Sequence, residues 1–198
     1  MISEKYGVPS ASTGAMLREE KRRDSALGQA AHAFTKTGRY FPDEIALAVV
    51  EKWLDETATD GFILDGFPRT VTQAEKFDEL LAARRQHLDA AINLDLSEAQ
   101  IRKRIESRLT CPQCAKPFSE EVHRVREGDA CPNCGGTLQR RRDDTLETLA
   151  ERLRQHEQWT APVVEFYRRT GRLREVDASP GSEAIFAEIV RALEEVSA

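Results

Sequence analysis

Residues 61–70, GFILDGFPRT, place an acid, a glycine and an arginine at a spacing that suits phosphate chemistry. Three apolar residues between two glycines are typical of a strand covered on both faces in a parallel sheet. Asp65 then lies at the carboxyl end of that strand, where open α/β sheets bind their ligands. Gly66 allows a close backbone approach, and Pro68 stiffens the turn before Arg69, whose guanidinium can bind a phosphate through two parallel hydrogen bonds. The alternative is a strand followed by an ordinary surface loop.

Residues 12–20, STGAMLREE, predict the start of a helix, because hydroxyl residues precede good helix formers. Helix N-termini attract anions, so Thr13 is placed to contact a phosphate or a ribose. Arg18 lies a little more than one turn further along. The alternative is an ordinary N-cap followed by a solvated arginine.

These two segments, with TGRYFPDE at residues 37–44 between them, resemble the adenylate kinase family and, more broadly, the nucleoside monophosphate kinases. The resemblance implies reversible phosphoryl transfer, ATP + AMP = 2 ADP, with an AMP-binding segment at about residues 12–41. One departure is Ala15, which stands where the family usually has an acid. The AMP contacts that the resemblance implies are Thr13, Arg18, Arg39, Tyr40, Phe41, Gly66, Phe67, Pro68, Arg69, Gln73, Arg141 and Arg152.

The chain has four cysteines, which form two Cys-x-x-Cys pairs: Cys111 with Cys114, and Cys131 with Cys134. This spacing is typical of a small ribbon closed by one zinc ion. Four thiolates complete the tetrahedral shell of zinc, so such a site is structural and has no open position for catalysis. Two disulfides or four reduced thiols are the alternatives. Disulfides fit poorly, because the N-terminal residues have no secretory pattern.

Basic residues flank the cysteine pairs on both sides. Arg104 and Arg108 are four residues apart and share one helical face, while Arg141 precedes the acids Asp143 and Asp144. In a chain of net charge −5, this local positive charge is better explained by a small anionic substrate than by nucleic acid. Solvated, salt-bridged helix faces are the alternative. That alternative is the one we expect for Arg102, Lys103 and Arg154.

The resemblance covers this region too, because many bacterial members of the family carry a zinc ribbon in the lid that closes over ATP. It implies that Asp65 orients water around Mg²⁺ and that Ser119 replaces a usual histidine. The implied ATP contacts are Arg104, Arg108, Pro117, Phe118 and Pro180. The implied catalytic residues are Arg69, Arg108, Arg141, Arg152, Asp65, Asp143 and Asp144.

A kinase of this class should begin with a strand and a glycine-rich loop, G-x-x-x-x-G-K-[ST], whose amides bind phosphate. No such string occurs in residues 1–198, and residues 1–7 instead resemble the end of the helix that follows this loop, with Gly7 as its stop. Either the true start lies upstream of Met1, which we favour, or the polypeptide is this short. The second case predicts slow turnover, so the alternative function is a catalytically impaired AMP-binding and zinc-ribbon protein. A missing central strand would also leave the backbone groups of its two neighbours unpaired.

The order of predicted elements indicates an α/β protein with a parallel sheet, because predicted strands alternate with helices. A chain of 198 residues, 40% hydrophobic and 32% charged, suits one core with a small insertion. With the resemblance, the expected fold is a P-loop NTPase-like core at residues 1–108 and 141–198, without its first strand and P-loop, and a zinc-binding lid at residues 109–140. We expect a cytoplasmic monomer whose partners are ATP, AMP and ADP, with no nucleic acid and no membrane partner.

Two further expectations concern single residues. A long helix is predicted from about residue 146 to just before Gly171, and Pro162 inside it predicts a kink. The histidines are interpreted as having no catalytic role, because no partner spacing suggests general-base chemistry. They are His32, His87, His123 and His156.

Overall fold

The computed structural model describes residues 1–31, 40–57, 61–141 and 144–196, so the predicted site residues Arg39 and Asp143 lie outside the described residues. The helices are α1 Ile2–Tyr6, α2 Thr13–Arg22, α3 Ala26–Ala31, α4 Asp43–Thr57, α5 Val71–Ala83, α6 Glu98–Glu106, α7 Glu120–His123, α8 Leu146–Gln155, α9 Ala161–Arg169 and α10 Ser182–Glu194, with a π-helical turn at His156–Thr160. The strands are β1 Ser10–Ser12, β2 Ile63–Asp65, β3 Ala91–Asp95, β4 Arg108–Thr110, β5 Pro117–Ser119 and β6 Leu173–Asp177.

The first of two compact units, Met1–Asp95 with Arg152–Ala198, contains two separate pairs of parallel strands. β1 pairs with β2, and Ser12 lies opposite Asp65. β3 pairs with β6 along all five residues of each strand. Among the described strands, β2 and β3 do not pair with each other. The prediction of an α/β protein with parallel strands is confirmed.

Large apolar side chains from α4 and α5 pack over the β1–β2 pair. Val49, Val50, Phe77 and Leu81 are each at most 2% exposed. Phe67, in the loop after β2, packs edge-on against Phe77 with 5.2 Å between the ring centroids. Burial of a phenylalanine side chain contributes about 1.5–3 kcal/mol. The loop that carries the predicted phosphate arginine is therefore anchored in the core.

α5 and α9 pack together through a second cluster that includes Ala74, Val163 and Tyr167. Arg172, just before β6, donates two hydrogen bonds to Asp78 of α5, at 2.8 and 2.6 Å. This bidentate pair fixes the start of β6 against α5.

The helix predicted across residues 146–170 is interrupted next to Pro162, as the sequence indicated. The interruption takes the form of the π-helical turn, which is followed directly by α9 with Pro162 in its first turn. Proline has no amide hydrogen, and its ring collides with the carbonyl one turn earlier in a regular helix. A π-helical turn widens the helix locally, so the chain continues without that collision.

The second compact unit, Leu96–Glu151, is built around a small antiparallel ribbon. β4 pairs with β5, and isolated bridges join Thr110 to Gln139 and Ala130 to Thr137. Leu109 is completely buried and packs with two of the cysteines. The lid predicted at residues 109–140 lies within this unit, and its boundaries stay a prediction.

Within the described ranges, we find no helix with the length and apolar character needed to cross a bilayer.

Candidate nucleotide site and metal centre

The first turn of α2 and the loop after β2 begin side by side. In the parallel β1–β2 pair, Ser12 lies opposite Asp65, and neighbouring strands are about 4.8 Å apart. The Ser12 hydroxyl accepts a hydrogen bond from the Ala15 amide at 3.1 Å and so caps α2. Thr13 follows and is 6% exposed. The fold thus joins two segments that the sequence analysis could link only by resemblance.

Arg18 folds back toward the N-terminus of α2. Its Nη1 atom lies 3.3 Å from the position that a Cβ would take at Gly14. Helical side chains tilt in this direction, and the glycine leaves room for the guanidinium. The positive charge of Arg18 therefore adds to the positive end of the helix dipole, and both favour an anion near the first turn of α2.

The Arg69 side chain is held by the loop that carries it. Its Nε donates to the Gly66 carbonyl at 2.7 Å, and its guanidinium lies over the Tyr40 ring at 4.7 Å from the centroid. Gly66 has φ of +69°, and a Cβ there would lie 2.8 Å from Arg69 Nη2. Only glycine satisfies both the left-handed backbone and this close approach.

The backbone of Arg69 is fixed from two sides. Its amide donates to Gln73 Oε1 at 2.8 Å, and its carbonyl accepts from Thr160 Oγ1 at 3.2 Å. Gln73 Nε2 in turn donates to Asp43 at 2.8 Å. Gln73, predicted to contact AMP, is only 2% exposed, and its amide joins the Arg69 loop to α4. Gln73 therefore holds the Arg69 loop in place, and its own contact with AMP stays a prediction.

The π-helical turn brings two residues to this site that the sequence analysis missed. Gln155, just before the turn, accepts a hydrogen bond from the Tyr40 amide at 2.7 Å. Thr160, its last residue, lies 3.0 Å from the Tyr40 hydroxyl through Oγ1. Thr160 thus links the Tyr40 side chain to the backbone of Arg69, whose guanidinium stacks on the Tyr40 ring. Pro162 could have indicated these residues, because it predicts an interruption of the helix and π-helical interruptions often occur at functional sites.

Asp65 lies at the carboxyl end of a strand, as predicted, and Pro180 lies in the turn that follows β6. Asp65 is the exposed last residue of β2. After β6, the Asp177 carboxylate accepts hydrogen bonds from the amide and hydroxyl of Ser179, each at 2.8 Å. The Ser179 amide lowers the pKa of Asp177, and the Ser179 hydroxyl acts in the same direction. This turn positions the half-buried Pro180.

Of the other predicted arginines, Arg152 is half-buried on α8 and belongs to the first unit, whereas Arg104, Arg108 and Arg141 belong to the second. Arg108 forms a bidentate pair with Asp144, in which Nε donates to Oδ2 at 2.8 Å and Nη2 donates to Oδ1. The Asp144 side chain is 4% exposed, so it needs this counter-charge. Two residues of the implied catalytic set are thus brought together.

The residues expected to be solvated helix-face groups behave as expected. Arg102 lies 3.4 Å from Glu98, and Lys103 lies 3.0 Å from Glu121. Arg154 donates to Gln158 at 3.1 Å. Exposed pairs of this kind contribute roughly 0–1 kcal/mol and suggest no ligand.

The predicted ATP contacts Pro117 and Phe118 lie on β5, and His123 shares their surface. The rings of His123 and Phe118 meet edge-on at 5.3 Å, and His123 Nδ1 accepts a hydrogen bond from the Ser119 amide at 2.9 Å. The sequence interpretation of His123 missed this contact. In the sequence, this contact could have been expected because Ser119 caps the short helix α7 and His123 lies four residues further along.

The four cysteines converge, and all four Sγ atoms lie within 4.8 Å of one another. The Sγ separations are 3.5 Å between Cys111 and Cys134 and 3.7 Å between Cys114 and Cys131. A disulfide requires about 2.05 Å, so all four are free thiols. Zinc bound tetrahedrally at about 2.3 Å from each sulfur needs sulfur separations of roughly 3.8 Å. The donor set therefore fits zinc.

Backbone amides face the sulfurs of both knuckles. The Lys116 amide lowers the pKa of Cys114 to about 6. The Gly136 amide acts in the same direction on Cys134, but burial and the three neighbouring thiols raise the pKa of Cys134 to about 12. Four thiolates this close repel one another, and a divalent cation removes that repulsion. Alone, the thiols cannot all ionise, which is the chemistry expected of a metal site.

Comparison with known proteins agrees with this geometry. A family model described as Adenylate kinase matches residues 1–172. The adenylate kinase of Archaeoglobus fulgidus is 40% identical over 196 residues, which covers 98% of this chain and 90% of that protein. The adenylate kinases of Syntrophomonas wolfei and Moorella thermoacetica are 35% and 37% identical, over 98% and 97% of this chain and 91% and 89% of their own lengths. With Arg18 at the first turn of α2 and its four-cysteine ribbon, the chain belongs to the adenylate kinase family.

Proposed function

We propose that this chain supports the adenylate kinase reaction, ATP + AMP = 2 ADP, as a monomer. The observation that carries the proposal is the register of β1 and β2, which sets the first turn of α2 beside the Arg69 loop. The N-terminus of α2 and the guanidinium groups of Arg18 and Arg69 would then bind one anionic group together. The relatives named Adenylate kinase support AMP as that ligand.

The proposed AMP site combines the residues that the resemblance implied with those that hold them. Arg18 and Arg69 bind the phosphate, and Thr13 contacts the ribose or phosphate at the start of α2. Gln73 and Thr160 act as positioning residues, because both bond to the backbone of Arg69. The remaining members of the proposed AMP set are Arg39, Tyr40, Phe41, Gly66, Phe67, Pro68, Arg141 and Arg152.

The transfer step needs positioning and charge neutralisation more than covalent help from the protein. We assign Arg104, Arg108, Pro117, Phe118 and Pro180 to ATP. Asp144 keeps the guanidinium of Arg108 in one orientation through the bidentate pair. We assign Asp143 to the same acidic pair. Asp65, the exposed last residue of β2, would hold water ligands of Mg²⁺, which would neutralise charge on the ATP phosphates when bound.

We assign the four-cysteine cluster to one structural zinc ion. Its thiols fill every tetrahedral position, so the metal would stabilise the ribbon and take no part in the reaction. Elemental analysis of protein purified from zinc-replete cells should give about one zinc per chain. Metal-free protein with an intact ribbon by circular dichroism would contradict the assignment.

A coupled assay for ADP, run with AMP, GMP, CMP and UMP as acceptors, tests the reaction. We expect turnover with AMP, in a range of roughly 1–100 per second when all phosphate contacts are present. Arg69→Gln should abolish the AMP response, whereas the matched control Arg102→Gln, on a solvated helix face, should not alter it. Equal rates for the two variants would remove Arg69 from the site.

The second candidate is a non-catalytic AMP-binding and metal-ribbon protein. It would keep the proposed AMP contacts of Arg18 and Arg69 and bind zinc at the four cysteines without transferring a phosphoryl group. Calorimetry separates the two candidates: AMP uptake without ADP formation supports the binding protein, and ADP formation excludes it. Light scattering on the same preparation measures the molar mass and so tests whether the protein is a monomer.

A further inference from the structure

Gln155 is a buried polar residue that the proposed AMP set does not include. It is 5% exposed, and its Oε1 accepts a hydrogen bond at 2.7 Å from the amide of Tyr40, which lies 115 residues earlier in the chain. A buried amide costs free energy unless it is paired, so buried amides are almost always hydrogen-bonded. The bond from Tyr40 fixes the backbone at the base of the Tyr40 side chain.

The Tyr40 side chain is held at its other end too. Its hydroxyl lies 3.0 Å from Thr160 Oγ1, and the residue as a whole is half-buried. A tyrosine side chain has only two rotatable bonds between the backbone and the ring. Contacts at the amide and at the hydroxyl therefore leave the Tyr40 ring little freedom to turn.

The π-helical turn is what presents Gln155 and Thr160 to the same residue. They are five positions apart, and in a regular α-helix of 3.6 residues per turn they would lie about 140° apart around the axis. At this turn the Ala161 amide donates to the His156 carbonyl, five residues earlier, and such wider winding brings residues five apart toward one side. Burial agrees, since Gln155 is buried and Thr160 is half-buried, whereas residues 156–159 between them are exposed.

The face of the Tyr40 ring holds the guanidinium of Arg69. The Arg69 Cζ atom lies 4.7 Å from the ring centroid, at which distance the ring attracts the cation. On its other side, the Arg69 Nε donates to the Gly66 carbonyl at 2.7 Å. An arginine side chain has much rotamer freedom to lose, and a guanidinium that is already held loses less of it when an anion binds. The orientation of the Tyr40 ring therefore influences how tightly Arg69 binds an anion.

We propose that Gln155 is a positioning residue for Arg69 and acts through Tyr40. Gln155 fixes the backbone of Tyr40, Thr160 fixes its hydroxyl, and the ring keeps the guanidinium of Arg69 in the orientation that meets a phosphate. That this phosphate belongs to AMP rests on the proposed function. The positioning itself depends only on the contacts among these side chains.

The first test needs no ligand. Gln155→Met keeps the length of the side chain but has no strong acceptor, and the matched control Gln158→Met changes an exposed glutamine of the same turn, which accepts from Arg154. The Arg69 Hε proton lies close to the Tyr40 ring, so the ring current shifts its NMR resonance upfield. Gln155→Met should move this resonance toward that of a solvated arginine, as should Tyr40→Leu, which removes the ring. Gln158→Met should leave it unchanged.

The second test compares calorimetric or NMR titrations with AMP and with adenosine. Adenosine lacks the phosphate, so only AMP binding depends on the orientation of Arg69. Gln155→Met should weaken AMP binding by about three- to tenfold and leave adenosine binding unchanged. Gln155→Glu keeps an acceptor and should restore most of the AMP binding. In a chain that already carries Tyr40→Leu, Gln155→Met should cause no further loss, because Gln155 acts through the ring.

Three results would overturn the positioning role. They are an Arg69 resonance that does not respond to Gln155→Met, equal losses of AMP and adenosine binding, and an additive loss in the double variant. If Gln155→Met does not fold, hydrogen exchange of the Tyr40 amide in the unaltered chain decides. An amide bonded to a buried acceptor exchanges slowly, and exchange at the rate of an exposed amide would overturn the role as well.

The outcomes also separate this inference from the proposed function. A shift of the Arg69 resonance as expected, in a chain that binds no AMP, would support the positioning role and count against the proposed AMP site. ADP formation with equal AMP affinity in the unaltered chain and in Gln155→Met would do the reverse.

Discussion

The variant Gly66→Ala tests whether glycine is required at this position to let the Arg69 side chain take its place over Tyr40. An added Cβ would lie 2.8 Å from Arg69 Nη2 and 3.5 Å from Nε, so the guanidinium must leave its position over Tyr40. The guanidinium is the far end of a flexible side chain, so it moves at little cost to the fold. What is lost is the prepositioned phosphate contact.

Two magnitudes follow from this geometry. A non-glycine residue at φ of +69° costs about 1–2 kcal/mol, which lowers the melting temperature by roughly 2–8 °C in a chain of this size. A charge-assisted hydrogen bond contributes about 1.5–3 kcal/mol. Loss of the Arg69 contact should therefore weaken AMP binding by about 10–150-fold.

The matched control is Gly171→Ala. Gly171 has φ of +72°, and a Cβ there would meet nothing within 4 Å. Calorimetric titration with AMP and a melting curve on both variants should show similar losses of stability, with weaker AMP binding in Gly66→Ala alone. If both variants bind AMP like the parent chain, Arg69 does not hold the phosphate in the orientation that we describe.

Three further variants probe other contacts. Thr160→Val removes the hydroxyl that bonds the Arg69 carbonyl, so calorimetry should show AMP binding weakened by about five- to tenfold, with Thr160→Ser restoring it. Lys52→Met removes both 2.8 Å hydrogen bonds from Lys52 to Glu20. These bonds lower the pKa of the buried Glu20 carboxyl. The Lys52–Glu20 pair therefore stabilises the fold at neutral pH and loses this effect as the pH falls through the lowered pKa of Glu20. Melting curves should show a loss of about 1–3 kcal/mol at pH 7 that shrinks below about pH 4. Gly136→Ala would place a Cβ 3.0 Å from a cysteine sulfur, so chelator competition should show about tenfold weaker zinc binding.

Each of these predictions has an outcome that contradicts it. Equal AMP affinity in the valine and serine variants would exclude the hydroxyl from the site. A stability loss in Lys52→Met that is the same at pH 7 and pH 3 would show that Glu20 is not the group involved. For the ribbon, the control is Gly135→Ala, because a Cβ at Gly135 would meet nothing within 4 Å. Equal zinc affinity in both glycine variants would show that close approach to the sulfur is unimportant.

Local sequence determined the elements and the chemistry of the site. Gly7 was predicted as a helix stop, and the structure confirms it, since Gly7 is left-handed at the end of α1. In the same local way, the Ser97 hydroxyl accepts from the Gln100 amide and caps α6. These signals act within one or two turns, so neighbouring residues suffice to specify them. The cysteine spacing likewise specified a metal ribbon, because each Cys-x-x-Cys knuckle is a local turn.

Tertiary structure decided which side chains meet. No local rule links Tyr40 to Gln155, or Thr160 to Arg69, because these contacts depend on how α9 packs on α5. The same packing buried Gln73 and bonded its side chain to the Arg69 amide and to Asp43, which the sequence did not predict. Hydrogen bonds between distant segments form only after the core has brought their backbones together, and the sequence alone does not give that distance.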